Sequence, residues 1–175
     1  MFYKLDIKLP DLDINRLQGN KTSGWDDSLP DFREYEVNDI QYFLDACKDL
    51  VKFIIPPAHV NITVIEKFGA VVPHTDAWPV TLNVYLNVSG DEITTFYNNP
   101  SNHKISLNES PDLFVYNINE LVEAGNFSAK TSDCYLLNTY QPHAVSNQHD
   151  GSRTILRLIW LEHDYDTILK SIQIL

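Results

Sequence analysis

"VVPHTDAWPVTLNVYLN", residues 71–87, decides how the rest of the chain is read. Val80, Leu82, Val84, Leu86 and Val88 fall on one face of an extended segment. Thr81, Asn83, Tyr85 and Asn87 fall on the other, the period-2 pattern of a strand. That polar face has two readings: in an ordinary sandwich it meets water, and in a barrel with a ligand-holding lumen it turns inward. Just before the strand stand His74 and Asp76, two residues apart and so on one side of the chain. They are either two solvated loop side chains or two ligands of a metal that needs a third from elsewhere.

Working outward, "VNITVIEKF" (60–68), "TLNVYLNV" (81–88), "EITTFYN" (92–98), "LFVYNI" (113–118), "DCYLLNT" (133–139) and "RTILRLIWL" (153–161) read as strands between turn-rich stretches. "FYKLDIKL" (2–9) reads as an opening strand. Residues 11–36, rich in Asp, Asn, Gly, Ser and Pro, read as a long surface connection anchored by Trp25 and Phe32. A helix is expected over 37–55, where Ile40, Phe43, Leu44, Cys47, Leu50 and Val51 recur at helical spacing. Asn38 would cap it and "IPP" would stop it. A short helix is expected in "INELVEAGN" (118–126), closed by Gly125. The sum is a single, mainly β domain over 1–175, a sandwich or small barrel with helical support.

Composition narrows the partners. A formal charge of −11 repels phosphate backbones, so no nucleic-acid partner is expected. No apolar run approaches the ~20 residues that cross a bilayer, so no membrane partner is expected. "MFYKLDIKLP" carries charges where a signal peptide is apolar, which points to a cytoplasmic protein. In that compartment Asn-x-Ser/Thr matches such as those at Asn61, Asn87, Asn108 and Asn126 carry little weight. Cys47 and Cys134 lack metal spacing and read as buried free thiols.

The third candidate ligand is His143, in "LLNTYQPHAVSN" (136–147). His-x-Asp…His is the two-histidine, one-carboxylate face that holds non-haem Fe(II) with positions left open. Ten residues on comes Arg153, which shares a strand face with Ile155, Arg157 and Ile159. Two guanidinium groups on one face of an apolar strand need an anion to meet, and a carboxylate fits the fork. For Arg157, a salt bridge to an acidic side chain serves as well.

"PHTD", "VTLNVYLN", "ITTFY", "PHAVSN" and "GSRTILRLIW" stand in the order and register of Fe(II)/2-oxoglutarate-dependent dioxygenases. The chain most resembles the prolyl 4-hydroxylase-like branch, with some features of aspartyl/asparaginyl β-hydroxylases. The resemblance covers roughly residues 60–162, leaving 1–59 as N-terminal support. It implies a double-stranded β-helix, a jelly-roll or cupin-like barrel with the metal in its mouth. It further implies Fe(II) on His74, Asp76 and His143. Arg153 and the Tyr85 hydroxyl would hold 2-oxoglutarate, with Thr81 and Asn83 lining its pocket. The implied reaction hydroxylates an amino-acid side chain, free or in a peptide or protein, and releases succinate and CO2. Trp78 and Arg157 are the candidate substrate contacts, and loops 16–36 and 98–112 the candidate mouth.

Three positions depart from the family pattern. Asp91-Glu92 replaces a glycine pair, Trp160 follows Arg153 by seven residues, and Arg157 replaces a small polar residue. Two rivals stand beside the oxygenase: a non-catalytic barrel that binds a metal or small ligand, and a cupin-like metalloenzyme that does not use 2-oxoglutarate.

Overall fold

The computed structural model describes residues 1–22, 32–66, 69–101, 103–106, 114–147 and 151–175. Trp25, His149 and, within the 98–112 loop, residues 102 and 107–112 lie outside the described residues. The chain begins with β1 (Phe2–Leu5), α1 (Ile14–Leu17), β2 (Gln18–Lys21), β3 (Phe32–Val37), α2 (Ile40–Cys47) and β4 (Val51–Phe53). The central strands are β5 (His59–Ile65), β6 (Ala70–Thr75), β7 (Val80–Asn87) and β8 (Ile93–Asn98). Short strands β9 (Ile105–Ser106) and β10 (Phe114–Val115) precede a 3-10 turn at Ile118–Glu120. Then come β11 (Val122–Phe127), β12 (Cys134–Asn138), β13 (His143–Ser146), β14 (Arg153–Trp160), α3 (Tyr165–Ser171) and β15 (Ile172–Ile174).

Two antiparallel sheets face each other. One runs β1-β12-β7-β14-β5-β3-β2 and the other β11-β8-β13-β6-β10-β9. Successive strands cross between them: β5, β7, β12 and β14 lie in the first sheet, and β6, β8, β11 and β13 in the second. That interleaving is the double-stranded β-helix, a closed jelly-roll whose inner faces line a lumen.

The alternation of β7 now has its answer, because both faces are buried. Leu82, Val84 and Leu86 join Leu17, Phe43, Ile62, Leu156, Leu158 and Ile168 in a core between the large sheet and the three helices. Thr81 and Asn83 turn the other way, into the lumen. The lumen's closed end is sealed by Tyr85, Phe96, Phe127, Tyr135, Leu137 and Ile155, with the Phe2 ring packed at a tilt against them. Cys47 and Cys134 are free and buried.

Several sequence expectations change. The 37–55 helix is only Ile40–Cys47, and Val51–Phe53 instead pairs with β15. Its cap is Asp39, whose carboxylate accepts the Tyr42 N–H at 2.9 Å; Asn38 donates to the Gln18 carbonyl instead. The expected helix over 118–126 is a 3-10 turn followed by β11, and Gly125 sits at a β-bulge against β8. The "surface connection" 11–36 contributes a helix and two strands, with Leu17 fully buried. No helix among the described residues is long and apolar enough to cross a membrane.

Candidate metal centre

β6 and β13 pair side by side in the smaller sheet, and His74 lies directly opposite His143. Asp76 follows β6, its backbone N–H held by the Thr139 carbonyl at 3.0 Å. Strand pairing thus brings His74, Asp76 and His143 together, with one ligand atom from each within 4.8 Å of the others. Among the described residues this is the one such group of His, Cys, Asp or Glu. His74 Nε2 is 3.3 Å from Asp76 Oδ1, and the two imidazole centroids are 4.3 Å apart.

The protonation pattern suits a metal. The His74 Nδ1 lies 2.8 Å from the Val72 carbonyl and the His143 Nδ1 lies 3.0 Å from the Gln141 carbonyl. A carbonyl oxygen only accepts, so each Nδ1 carries a hydrogen, which leaves Nε2 as the ring nitrogen that can ligate an ion. Burial, with the neighbouring His74 next, pushes His143 down to about 4, so it is neutral at pH 7. Burial works against the Asp76 charge, yet the Arg157 guanidinium holds its carboxyl well below the usual range. Two imidazoles and one carboxylate form a mixed N/O donor set that fits Fe(II), Mn(II) or Zn(II).

Arg153 lies deeper on β14. Its Nη2 donates to the Tyr85 hydroxyl and to Thr94 Oγ1, both at 2.9 Å, and its Cζ sits 4.9 Å from the Tyr85 ring centre. The residue is 2% exposed, and its Nε and Nη1 have no hydrogen-bond partner. A buried guanidinium with two nitrogens unsatisfied is costly unless an anion completes it. Asn83 Oδ1 and Thr63 Oγ1 are buried without partners as well. Arg153, Thr94, Asn83 and Thr63 line one cavity of about 60 Å³ with the His-Asp-His cluster, and Tyr85 stands behind Arg153. Ile65, Val71, Leu137, Val145 and Ile155 supply the cavity's apolar wall.

Thr81 lines the cavity, as expected, and its Oγ1 also accepts the Trp78 Nε1–H at 2.9 Å. Other expected contacts have settled differently. Trp78 lies beneath Arg157, whose Cζ is 5.0 Å from the ring centre. Arg157 Nη2 donates to Asp76 Oδ2 at 3.0 Å and Nη1 to Glu34 Oε1 at 3.4 Å. The salt-bridge reading of Arg157 is therefore the one its geometry fits.

Sequence reasoning missed Glu34, Thr63, Thr94 and Thr139 on the cavity wall. Thr94 was within reach, since alternation in "ITTFY" sets it on the same face as Phe96. Glu34 sits in "FREYEV", where Tyr35 and Val37 alternate as a strand should, but the loop-like composition upstream hid it.

No family model matches the chain, and no curated protein matches it. Solved structures of oxalate decarboxylase from Bacillus subtilis are similar to it at low identity. A single-substitution variant shares 11% identity with a TM-score of 0.42, covering 78% of this chain and 27% of that one. The structure at pH 4.6 gives 12% identity, a TM-score of 0.42 and the same coverage. A third, from work on the enzyme's Mn(II) centres, gives 11%, 0.41, 83% and 28%. The chain thus spans about a quarter of the length of these structures. On its own strand order, the chain is a double-stranded β-helix of the jelly-roll, cupin-like type with a His-Asp-His cluster in its lumen.

Proposed function

We propose that the protein is a metal-dependent enzyme that binds a small carboxylic acid beside the ion, and that this acid is 2-oxoglutarate serving an oxygenase. The observation that supports it is the state of Arg153, buried and half-satisfied in the same cavity as His74, Asp76 and His143. In this reading His74, Asp76 and His143 hold Fe(II), which when bound supplies the redox chemistry that activates O2. Arg153 and the Tyr85 hydroxyl grip the far carboxylate, and Thr94 fixes the guanidinium for that task. Asn83 offers a further hydrogen bond along the acid. The apolar wall around Ile155 excludes water and strengthens each of these contacts. The hydroxylated substrate is an amino-acid side chain, free or in a peptide, entering past Trp78.

A second reading keeps the metal and the acid but needs no 2-oxoglutarate: a cupin-type metalloenzyme that acts on a small acid directly. The small cavity favours it, and it is the kind of chemistry named for the oxalate decarboxylases.

Anaerobic titration of the Fe(II)-loaded protein with 2-oxoglutarate separates the two. The oxygenase reading expects a visible metal-to-ligand charge-transfer band, absent in His74→Ala, and succinate on admitting O2. If no band and no succinate appear, while a short acid is consumed without 2-oxoglutarate, the direct reading replaces it.

A further inference from the structure

We propose that Arg157 is a positioning residue which holds Asp76 as a one-oxygen ligand and so keeps a coordination position open for the reaction. The inference rests on the metal-centre reading above and assigns Arg157 a role other than contacting substrate. The two Asp76 oxygens are divided. Oδ1 faces the His74 Nε2 at 3.3 Å, on the side where an ion would sit, and Oδ2 accepts the Arg157 Nη2–H at 3.0 Å. A free carboxylate can take a metal through one oxygen or through both. With Oδ2 occupied by a guanidinium, only the one-oxygen mode remains.

Arg157 is itself fixed on its other sides. Its side chain is 10% exposed, Nη1 donates to Glu34 Oε1 at 3.4 Å, and the Trp78 ring faces the guanidinium. Glu34 also accepts from the Asn61 amide at 3.2 Å, so the carboxylate that steadies Arg157 is steadied in turn. Its charge balances that of Arg157, which would otherwise repel a divalent ion across Asp76. The chain Glu34, Arg157, Asp76 therefore runs from β3, outside the eight-stranded barrel, to the metal centre. Arg153 differs in kind: its fork meets only hydroxyls and leaves two nitrogens for an acid.

Mn(II) alone is the probe, with no acid and no O2. Six octahedral positions less three side-chain atoms leave about three for water, which 17O-water broadening of the Mn(II) resonance counts. Arg157→Met is expected to bind Mn(II) with about one water fewer, as Asp76 closes onto the ion with both oxygens. An unchanged count overturns the proposal. Glu34→Gln, at the cavity rim, is expected to keep the wild-type count but to bind Mn(II) about tenfold more weakly. Unchanged affinity there overturns the outer link, and Glu34→Gln decides the matter if Arg157→Met does not fold. A failed 2-oxoglutarate assay leaves these outcomes readable, whereas a wild type that takes no Mn(II) ends the metal-centre reading and this one together.

Discussion

His74 and His143 are direct cross-strand partners on β6 and β13, with ring centroids 4.3 Å apart. Side chains far apart in sequence thus meet through backbone pairing rather than through a flexible loop. A ligand set built on paired strands is held to the geometry of the ladder, which favours a preformed site. Replacing either histidine by alanine is expected to weaken Mn(II) binding by more than about 100-fold, beyond the cost of losing an outer-shell partner. Calorimetric titration measures the loss, and an unchanged far-ultraviolet circular dichroism spectrum shows the sheet intact. Tight binding by His143→Ala would move the ion elsewhere.

Arg153 gives a prediction with opposite signs for stability and affinity. Without a ligand, its buried and partly unpaired guanidinium is a burden on the fold. Arg153→Met is therefore expected to leave stability unchanged or raise it by up to about 2 kcal/mol. The same change should weaken binding of the acid by about 10- to 100-fold, the worth of about 1.5–3 kcal/mol in charge-assisted hydrogen bonds. Urea denaturation and a binding titration on one preparation test both halves. A strongly destabilised variant would make Arg153 a structural group instead.

The parts of the fold that sequence made legible are those whose two faces differ cleanly or whose apolar run ends at turns. β7 alternates cleanly and β5 and β14 are β-branched and apolar runs bounded by turns, and each lies within a residue or two of its expected place at one end. β6 was missed because Pro73 and the two ligands interrupt its pattern, and β13 because it is four residues long. The helix was drawn too long because Leu50 and Val51 continue the helical spacing, while the partner that makes Val51 a strand residue is distant Ile174. Tertiary pairing of this kind overrides local preference. At the site, the spacing of His74 and Asp76 was visible, but the place of Glu34 depended on β3 pairing with β5, which no local pattern encodes.

Glu92 shows how the chain manages without the expected glycine pair. Its carboxylate accepts the Ser89 N–H at 2.8 Å and the Gly90 N–H at 2.9 Å, closing a turn in which Gly90 has a φ of +95°. Burial opposes the charge, but these backbone donors prevail and hold the carboxyl below its ordinary 4.5. A depressed folded-state value gives stability that is complete above 4.5 and is lost as pH falls through the lower value. Glu92→Gln is expected to cost about 1 kcal/mol at pH 7, with the gap to wild type closing in acid. Urea midpoints at neutral pH and below the carboxylate range check this. A gap independent of pH would mean that hydrogen-bond shape, and not charge, secures the turn.

Leu17 tests whether the N-terminal segment belongs to the folded body or merely lies on it. It ends the short helix α1, which Asp13 caps by accepting the Asn15 N–H, and it is fully buried against the helix-covered face of the large sheet. The Leu17 carbonyl also accepts the Asn38 N–H at 2.8 Å, tying α1 to the start of α2. A cavity at such a position is not easily refilled, since the neighbouring side chains are fixed by strand pairing. Leu17→Ala is therefore expected to destabilise the protein by about 2–5 kcal/mol in urea denaturation. A cost below about 1 kcal/mol would mean that the segment peels away before the barrel unfolds. In that case β3, and with it Glu34, would be an accessory to the metal centre instead of part of its frame.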